Sequence, residues 1–187
     1  MESTSFKGTT TMKRYAIIAA AGILAAACGS KTPTTPTPTA PPNTIVFTAA
    51  LSSQNEIPVI TNADVNARGN GTFTLNLTRD AAGTITAATG TFVYSLSGFP
   101  AGTLIRATHI HEGGPAIGSG GVVIDSGLTA ANGITLADGT LTNQTFSNKD
   151  VTVTLANQII ANPNGYYFNV HSAVNTAGAV RAQLVKQ

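Results

Sequence analysis

The histidines of this chain fall into two short segments, and imidazole is among the commonest metal ligands in proteins. His109 and His111 lie in ATHIHEGG, and His171 lies in YYFNVHSA. Alternate residues of a β-strand point to one face, roughly 6.5–7 Å apart, so His109 and His111 would share a face. A third imidazole from a neighbouring strand could join them, and three imidazoles with an open position suit zinc or copper.

Three interpretations of this histidine cluster stay open. The favoured one is structural, with the imidazoles satisfied by one another, by Glu56, by Arg181 or by backbone groups, because buried polar groups are normally paired. The second is a copper or zinc site, with no cofactor certain. The third is a catalytic metal site, which also needs a positioned acid or base, and Glu112 or Glu56 could serve.

Composition and motifs argue against several other classes of protein. After Cys28 the seven basic residues balance the seven acidic ones, so nucleic acid is not an expected partner. Superoxide dismutase chemistry would need more histidines and a disulfide, and the chain has one cysteine. A blue-copper site is disfavoured because no cysteine or methionine follows Cys28. No nucleophile elbow or phosphate-binding loop is present, so we expect no catalytic residue and no enzyme activity.

The elements that would position the histidines are short alternating strands. Period-two alternation places Phe73, Leu75 and Leu77 on one face, and turn signals separate such runs, which indicates an antiparallel sandwich or barrel. The stretch Leu155 to Ala161 instead suits one or two helical turns. The other strand candidates are Val46 to Leu51, Gly90 to Leu96, Val122 to Ile124, Leu136 to Phe146, Val151 to Leu155, Tyr166 to Val170 and Val180 to Val185, and the turn signals are Asn70-Gly71, Ala82-Gly83, Asp138-Gly139 and Asn164-Gly165.

The N-terminal segment is typical of an export signal. Basic residues precede the apolar run YAIIAAAGILAAA, which is too short to span a bilayer. LAAAC, ending at Cys28, resembles the lipobox of bacterial lipoproteins, which implies a diacylglycerol on the cysteine sulfur and cleavage before it. Residues 1–27 would then be the signal peptide, and 28–43 the acylated cysteine with a Pro/Thr-rich spacer in extended conformation. This predicts a lipid-anchored envelope protein, in the outer membrane if the cell is Gram-negative.

Four segments of residues 44–187 together resemble the CHRD domain, a module named from chordin. They are FTAALSSQNEIPVI, ATHIHEGGPAIGSGGVVI, GYYFNVHSA and the closing AVRAQL. The matching positions include Glu56, Asn169 and Arg181 besides the histidines, and Glu112 stands where the family usually has glycine. We therefore expect Glu56, Glu112, Asn169 and Arg181 to form a polar cluster near the histidines.

The resemblance implies an antiparallel β-sandwich of immunoglobulin-like or superoxide-dismutase-like Greek-key shape, to which the spacing of Leu155, Ile159 and Ile160 adds one short helix near 155–161. It implies a non-enzymatic binding or structural domain, whose partner would be an extracytoplasmic protein or ligand. The alternative function is a copper- or zinc-binding protein that uses His109, His111 and His171, with metal-dependent activity as its extension.

Overall fold

The computed structural model describes residues 40–187, and the signal peptide, Cys28 and most of the spacer lie outside the described residues. No helix in the described part is long and apolar enough to cross a bilayer. The elements in chain order are β1 (Thr44–Ser52), β2 (Arg68–Arg79), β3 (Ile85–Ser97), β4 (Thr103–Glu112), β5 (Val122–Asp125), β6 (Ile134–Leu136), β7 (Leu141–Val151), α1 (Val153–Ala161), β8 (Tyr166–Ser172), β9 (Val180–Gln183) and β10 (Val185–Lys186).

The strands form one antiparallel sheet. Its strand order is β5-β4-β8-β9-β1-β2-β3-β7, with β6 added beside β4 and β10 beside β1. The sheet curls until the outermost strands, β5 and β7, contact each other, so it is nearly closed. The prediction of an all-β antiparallel fold with one helix is confirmed.

The apolar faces that alternation predicts line the interior of this curled sheet. Phe92 on β3 lies 5.5 Å from Phe168 on β8, ring centre to ring centre, although these strands are not neighbours. Gly71 on β2 makes room for this contact, because a Cβ there would lie 3.1 Å from the Phe168 ring. The turn predicted at Asn70-Gly71 is therefore wrong: both residues lie inside β2, where the glycine serves close packing.

Two predicted strands also need correction. The candidate from Leu136 to Phe146 is interrupted at Asp138-Gly139, where Gly139 has φ 80° and turns the chain between β6 and β7. The candidate from Val151 to Leu155 ends at once, because the Thr152 side chain accepts a hydrogen bond from the Leu155 amide and starts α1. The predicted helix is confirmed, and it ends at Ala161 before Asn162-Pro163.

Every residue of β8 is buried, although only one of its faces belongs to the aromatic core. The other face lies under three loops, residues 53–67, 113–121 and 173–179. Asp64 joins the first loop to the third, since its carboxylate accepts hydrogen bonds of 2.6 Å from both Ser172 Oγ and Asn175 Nδ2. We call this covered face of β4, β8 and β9 the loop-covered face.

Candidate metal centre

The loop-covered face brings the three histidines together. In the antiparallel pairing of β4 with β8, His109 lies opposite Asn169 and His111 opposite Tyr167. His171 is two residues beyond Asn169 and so points to the same face. One nitrogen from each imidazole can be chosen so that all three lie within 4.8 Å of one another.

Backbone carbonyls of the covering loops set the orientation of two of these rings. His111 Nδ1 lies 2.9 Å from the Gly120 oxygen, and His171 Nδ1 lies 3.0 Å from the Thr176 oxygen. Because a carbonyl oxygen can only accept, both Nδ1 atoms carry a proton and donate it. The lone pairs of these two neutral rings are therefore on Nε2.

The two Nε2 atoms differ in what surrounds them. His171 Nε2 lies 3.1 Å from His109 Nδ1, so it accepts a hydrogen bond from the third ring. His111 Nε2 is buried and has no hydrogen-bond partner within residues 40–187. A buried lone pair without a donor is uncommon in folded proteins. This atom is free to bind something that the protein chain itself does not provide.

Burial keeps the imidazoles in the neutral form that binds metals. It lowers the pKa of His171 to about 4, a shift that the hydrogen bond to Thr176 opposes and the nearby His109 and His111 reinforce. Burial is also the largest cause of the lowered pKa values of His109 and His111. At neutral pH the three imidazoles are therefore uncharged, and a metal ion does not have to compete with a proton for their lone pairs.

Tyr167 and Arg181 support one side of the cluster. The His111 ring stacks on the Tyr167 ring at 4.9 Å between centres and 7° between planes. The guanidinium carbon of Arg181 lies 4.7 Å from the centre of the same tyrosine ring. The Tyr167 hydroxyl accepts a hydrogen bond of 2.9 Å from the Gly120 amide. His111 is thus held by packing and by the loop whose carbonyl fixes its tautomer.

Arg181 is buried, and its Nε and Nη1 donate to backbone oxygens of the covering loops, whereas Nη2 has no partner among the described residues. It is 1% exposed, and its Nε and Nη1 each donate a hydrogen bond of 2.8 Å, to the carbonyls of Asn55 and Ile117 respectively. In return, Asn55 Nδ2 donates to the Arg181 carbonyl at 2.9 Å. The arginine is therefore the link that holds the loops 53–67 and 113–121 against β9.

The other residues expected in the polar cluster divide into two groups. Glu56 and Asn169 are buried with Arg181 on the loop-covered face. Glu112 lies apart: it is exposed, follows His111 directly and so points to the other face, where it borders a separate pocket with Tyr166. The expectation that Glu112 belongs to the cluster is thus corrected by the alternation of β4 itself.

Two residues that contact the histidines, Asp125 and Tyr167, were not predicted from the sequence. Asp125 pairs with His109 across β4 and β5, and its carboxylate lies 3.7 Å from His109 Nε2. The pairing of β5 with β4 is a tertiary property without a signal in the sequence. Tyr167 could have been found, because it is two residues before Asn169 and four before His171 and so must share their face.

A known protein family matches most of the described part of this chain. The CHRD domain family matches residues 47–184, which include β1 to β9 except for the first residues of β1. The chain therefore belongs to the CHRD domain family. The match supports a domain that binds a partner or has a structural role. No curated protein and no solved structure matches the chain.

Proposed function

We propose that this protein is a lipid-anchored envelope protein whose CHRD domain binds copper or zinc through His109, His111 and His171. The observation that carries the metal proposal is the buried His111 Nε2, which has no partner but lies beside two further imidazoles. A purely structural cluster would satisfy this atom internally. The geometry thus favours metal binding over the structural role that the sequence favoured.

The hydrogen bonds favour particular nitrogen atoms as the proposed metal ligands. His111 and His171 would bind through Nε2, since their Nδ1 protons are donated to carbonyls. His109 would bind through Nδ1 after its proton moves to Nε2, which faces Asp125 at 3.7 Å. Each imidazole then has an oxygen acceptor behind it, the arrangement usual for metal-bound histidine. Zinc–nitrogen bonds of about 2.0–2.1 Å require the rings to close slightly around the ion.

The metal proposal predicts that one equivalent of copper or zinc raises the melting temperature of chelator-treated protein. A metal held at a hundred times its dissociation constant would stabilise the fold by about 2.7 kcal/mol. Elemental analysis should find one ion per chain, lost in His111→Ala and His171→Ala but kept in Glu112→Gln as the matched control. Metal-free protein without a thermal shift would contradict the proposal.

The anchor rests on the sequence around Cys28, where basic, apolar and small residues follow one another in the order of an export signal. We predict that Cys28→Ser abolishes labelling by a radioactive fatty acid and moves the protein from the membrane to the soluble fraction. The control substitution Ser30→Ala should alter neither the labelling nor the membrane association. Membrane association that persists in Cys28→Ser would refute the lipoprotein assignment and leave the metal site untouched.

A partner of the loop-covered face would be an extracytoplasmic ligand or protein, because the proposed export signal places the domain outside the cytoplasm.

For the sheet we propose the Greek-key sandwich form that the resemblance implies. Contacts across the interior support it, since Tyr94 on β3 packs edge-on against Phe168 on β8 at 5.8 Å between ring centres. Two sheet halves that face each other through such aromatic contacts are typical of a sandwich core. The near closure of the sheet means that the two halves remain continuous at one side.

A further inference from the structure

A second feature of the loop-covered face is a cavity of about 570 Å³ between the loops 53–67 and 173–179. This volume is in the range of small-molecule sites, which are mostly apolar with a few convergent polar groups. Its apolar wall includes Ile57 and Val174, which are 40% and 59% exposed. Large apolar side chains that stay exposed around a concave surface commonly mark a binding site.

Glu56 is the single charged residue among the described residues that line the cavity. This residue is 5% exposed, and its Oε1 atom has no hydrogen-bond partner among the described residues. No ion pair within 4.0 Å joins it to Arg181, which donates instead to carbonyls of the loops. Burial of a carboxylate is costly, and it raises the pKa of Glu56 to about 7, a shift that the positive charge of Arg181 opposes.

A second acceptor lies beside this carboxylate. Asn169 Oδ1 is buried and has no partner in the described part of the chain. Both atoms border Gly178: a Cβ on this glycine would lie 2.6 Å from Asn169 Nδ2, 2.8 Å from Glu56 Oε1 and 2.9 Å from Asn169 Oδ1, so the glycine itself fills the space beside them. Glu56 lines the cavity and Asn169 does not, so the carboxylate is the acceptor that a ligand meets, and an ammonium group offers it three donors.

We propose that this cavity binds an organic ammonium ion, with the charged nitrogen at Glu56 and the apolar body against Ile57 and Val174. The ammonium donates hydrogen bonds to the Glu56 carboxylate, which has no ion pair with Arg181, and adds a positive charge in contact with it. The single carboxylate and the apolar wall together select a cation with an apolar body over a neutral or anionic ligand. No histidine lines this cavity, although its wall includes Thr176, whose carbonyl contacts His171.

The test compares benzylammonium, benzyl alcohol and benzoate, three probes with the same ring and different charge. Full-length protein is titrated with each by calorimetry and ligand-observed NMR. We expect benzylammonium to bind at least about tenfold more tightly than benzyl alcohol, and benzoate not to bind, because a hydrogen-bonded charge contributes more than a neutral group. Glu56→Gln should remove the preference for the cation, while Glu112→Gln should keep it.

A second variant avoids any change in the buried cluster. Val174→Lys places a competing ammonium at the exposed rim and should weaken benzylammonium binding at least about tenfold. Val185→Lys is the matched control, because Val185 is 57% exposed but lies on β10 outside the cavity. Equal affinities for the three probes, or unchanged binding in both Glu56→Gln and Val174→Lys, would overturn the proposal.

Discussion

Replacing Arg181 by alanine will lower the free energy of unfolding by about 3–5 kcal/mol, because a buried guanidinium loses its hydrogen bonds to two loop carbonyls. Hydrogen bonds that involve a charged group contribute about 1.5–3 kcal/mol each, and those to Asn55 and Ile117 are both lost. It also removes the contact with the Tyr167 ring. Chemical denaturation followed by circular dichroism measures the loss.

Two further substitutions separate the geometry of Arg181 from its charge. Arg181→Lys keeps the charge but cannot reach two carbonyls with a planar fork, so it should recover only part of the loss. Arg68→Ala is the surface control and should change stability by less than about 0.5 kcal/mol, since Arg68 is exposed on β2. Faster hydrogen exchange at the Gly120 amide would show that the loop 113–121 has loosened. If Arg181→Ala proved as mild as Arg68→Ala, the linking role would be refuted.

Acidification will destabilise the metal-free protein between about pH 6.5 and pH 4, the interval between the ordinary pKa of histidine and that of His171 in the fold. In this interval the histidine is protonated in the unfolded chain but not in the folded chain. The stabilisation is therefore fully present above about pH 6.5 and is lost as the pH falls through the interval. His171 alone contributes up to about 3 kcal/mol, at about 1.4 kcal/mol for each unit of pKa shift. Denaturant midpoints measured across this pH range test the prediction.

The titration of Glu56 changes the stability in the opposite direction, so it is an internal control for the sign of the pH effect. Its raised pKa of about 7 means that the folded chain binds the proton more tightly than the unfolded chain, whose pKa is 4.5. Its contribution therefore grows as pH falls from about 7 and is lost as pH rises. Glu56→Gln should make the acid loss steeper, and His171→Gln should make it shallower. The same pH profile in both variants would contradict the proposed origin of the effect.

The local structure of this chain can largely be predicted from its sequence. Alternation is enough to bury Phe73 and Phe92 and to put His109 and His111 on one face, because a strand turns successive side chains to opposite sides. Hydrogen-bonding chemistry is enough to start α1 at Thr152 and end it before Pro163. The same alternation places Glu112 away from the histidines, so adjacency in sequence was the wrong guide there.

The remaining features depend on pairing and packing between strands that are distant in the sequence. Asn70-Gly71 has the form of a turn, but the Phe168 ring of a distant strand needs the space at Gly71 and keeps the pair inside β2. The neighbour of β4 on one side is β8, which brings His171 to His109, and on the other side β5, which brings Asp125. No local pattern encodes these pairings, since they depend on how the whole sheet curls.

The amino-acid sequence alone establishes that three imidazoles, Arg181 and Glu56 are present, all in segments of a CHRD domain. The contacts among these groups are properties of the folded chain. Loops cover the outer face of β8. Their carbonyls fix the tautomers of His111 and His171, and the loops exclude solvent from Glu56. Desolvation is a property of the assembled fold, because it depends on which chain segments exclude water from a group rather than on the group itself.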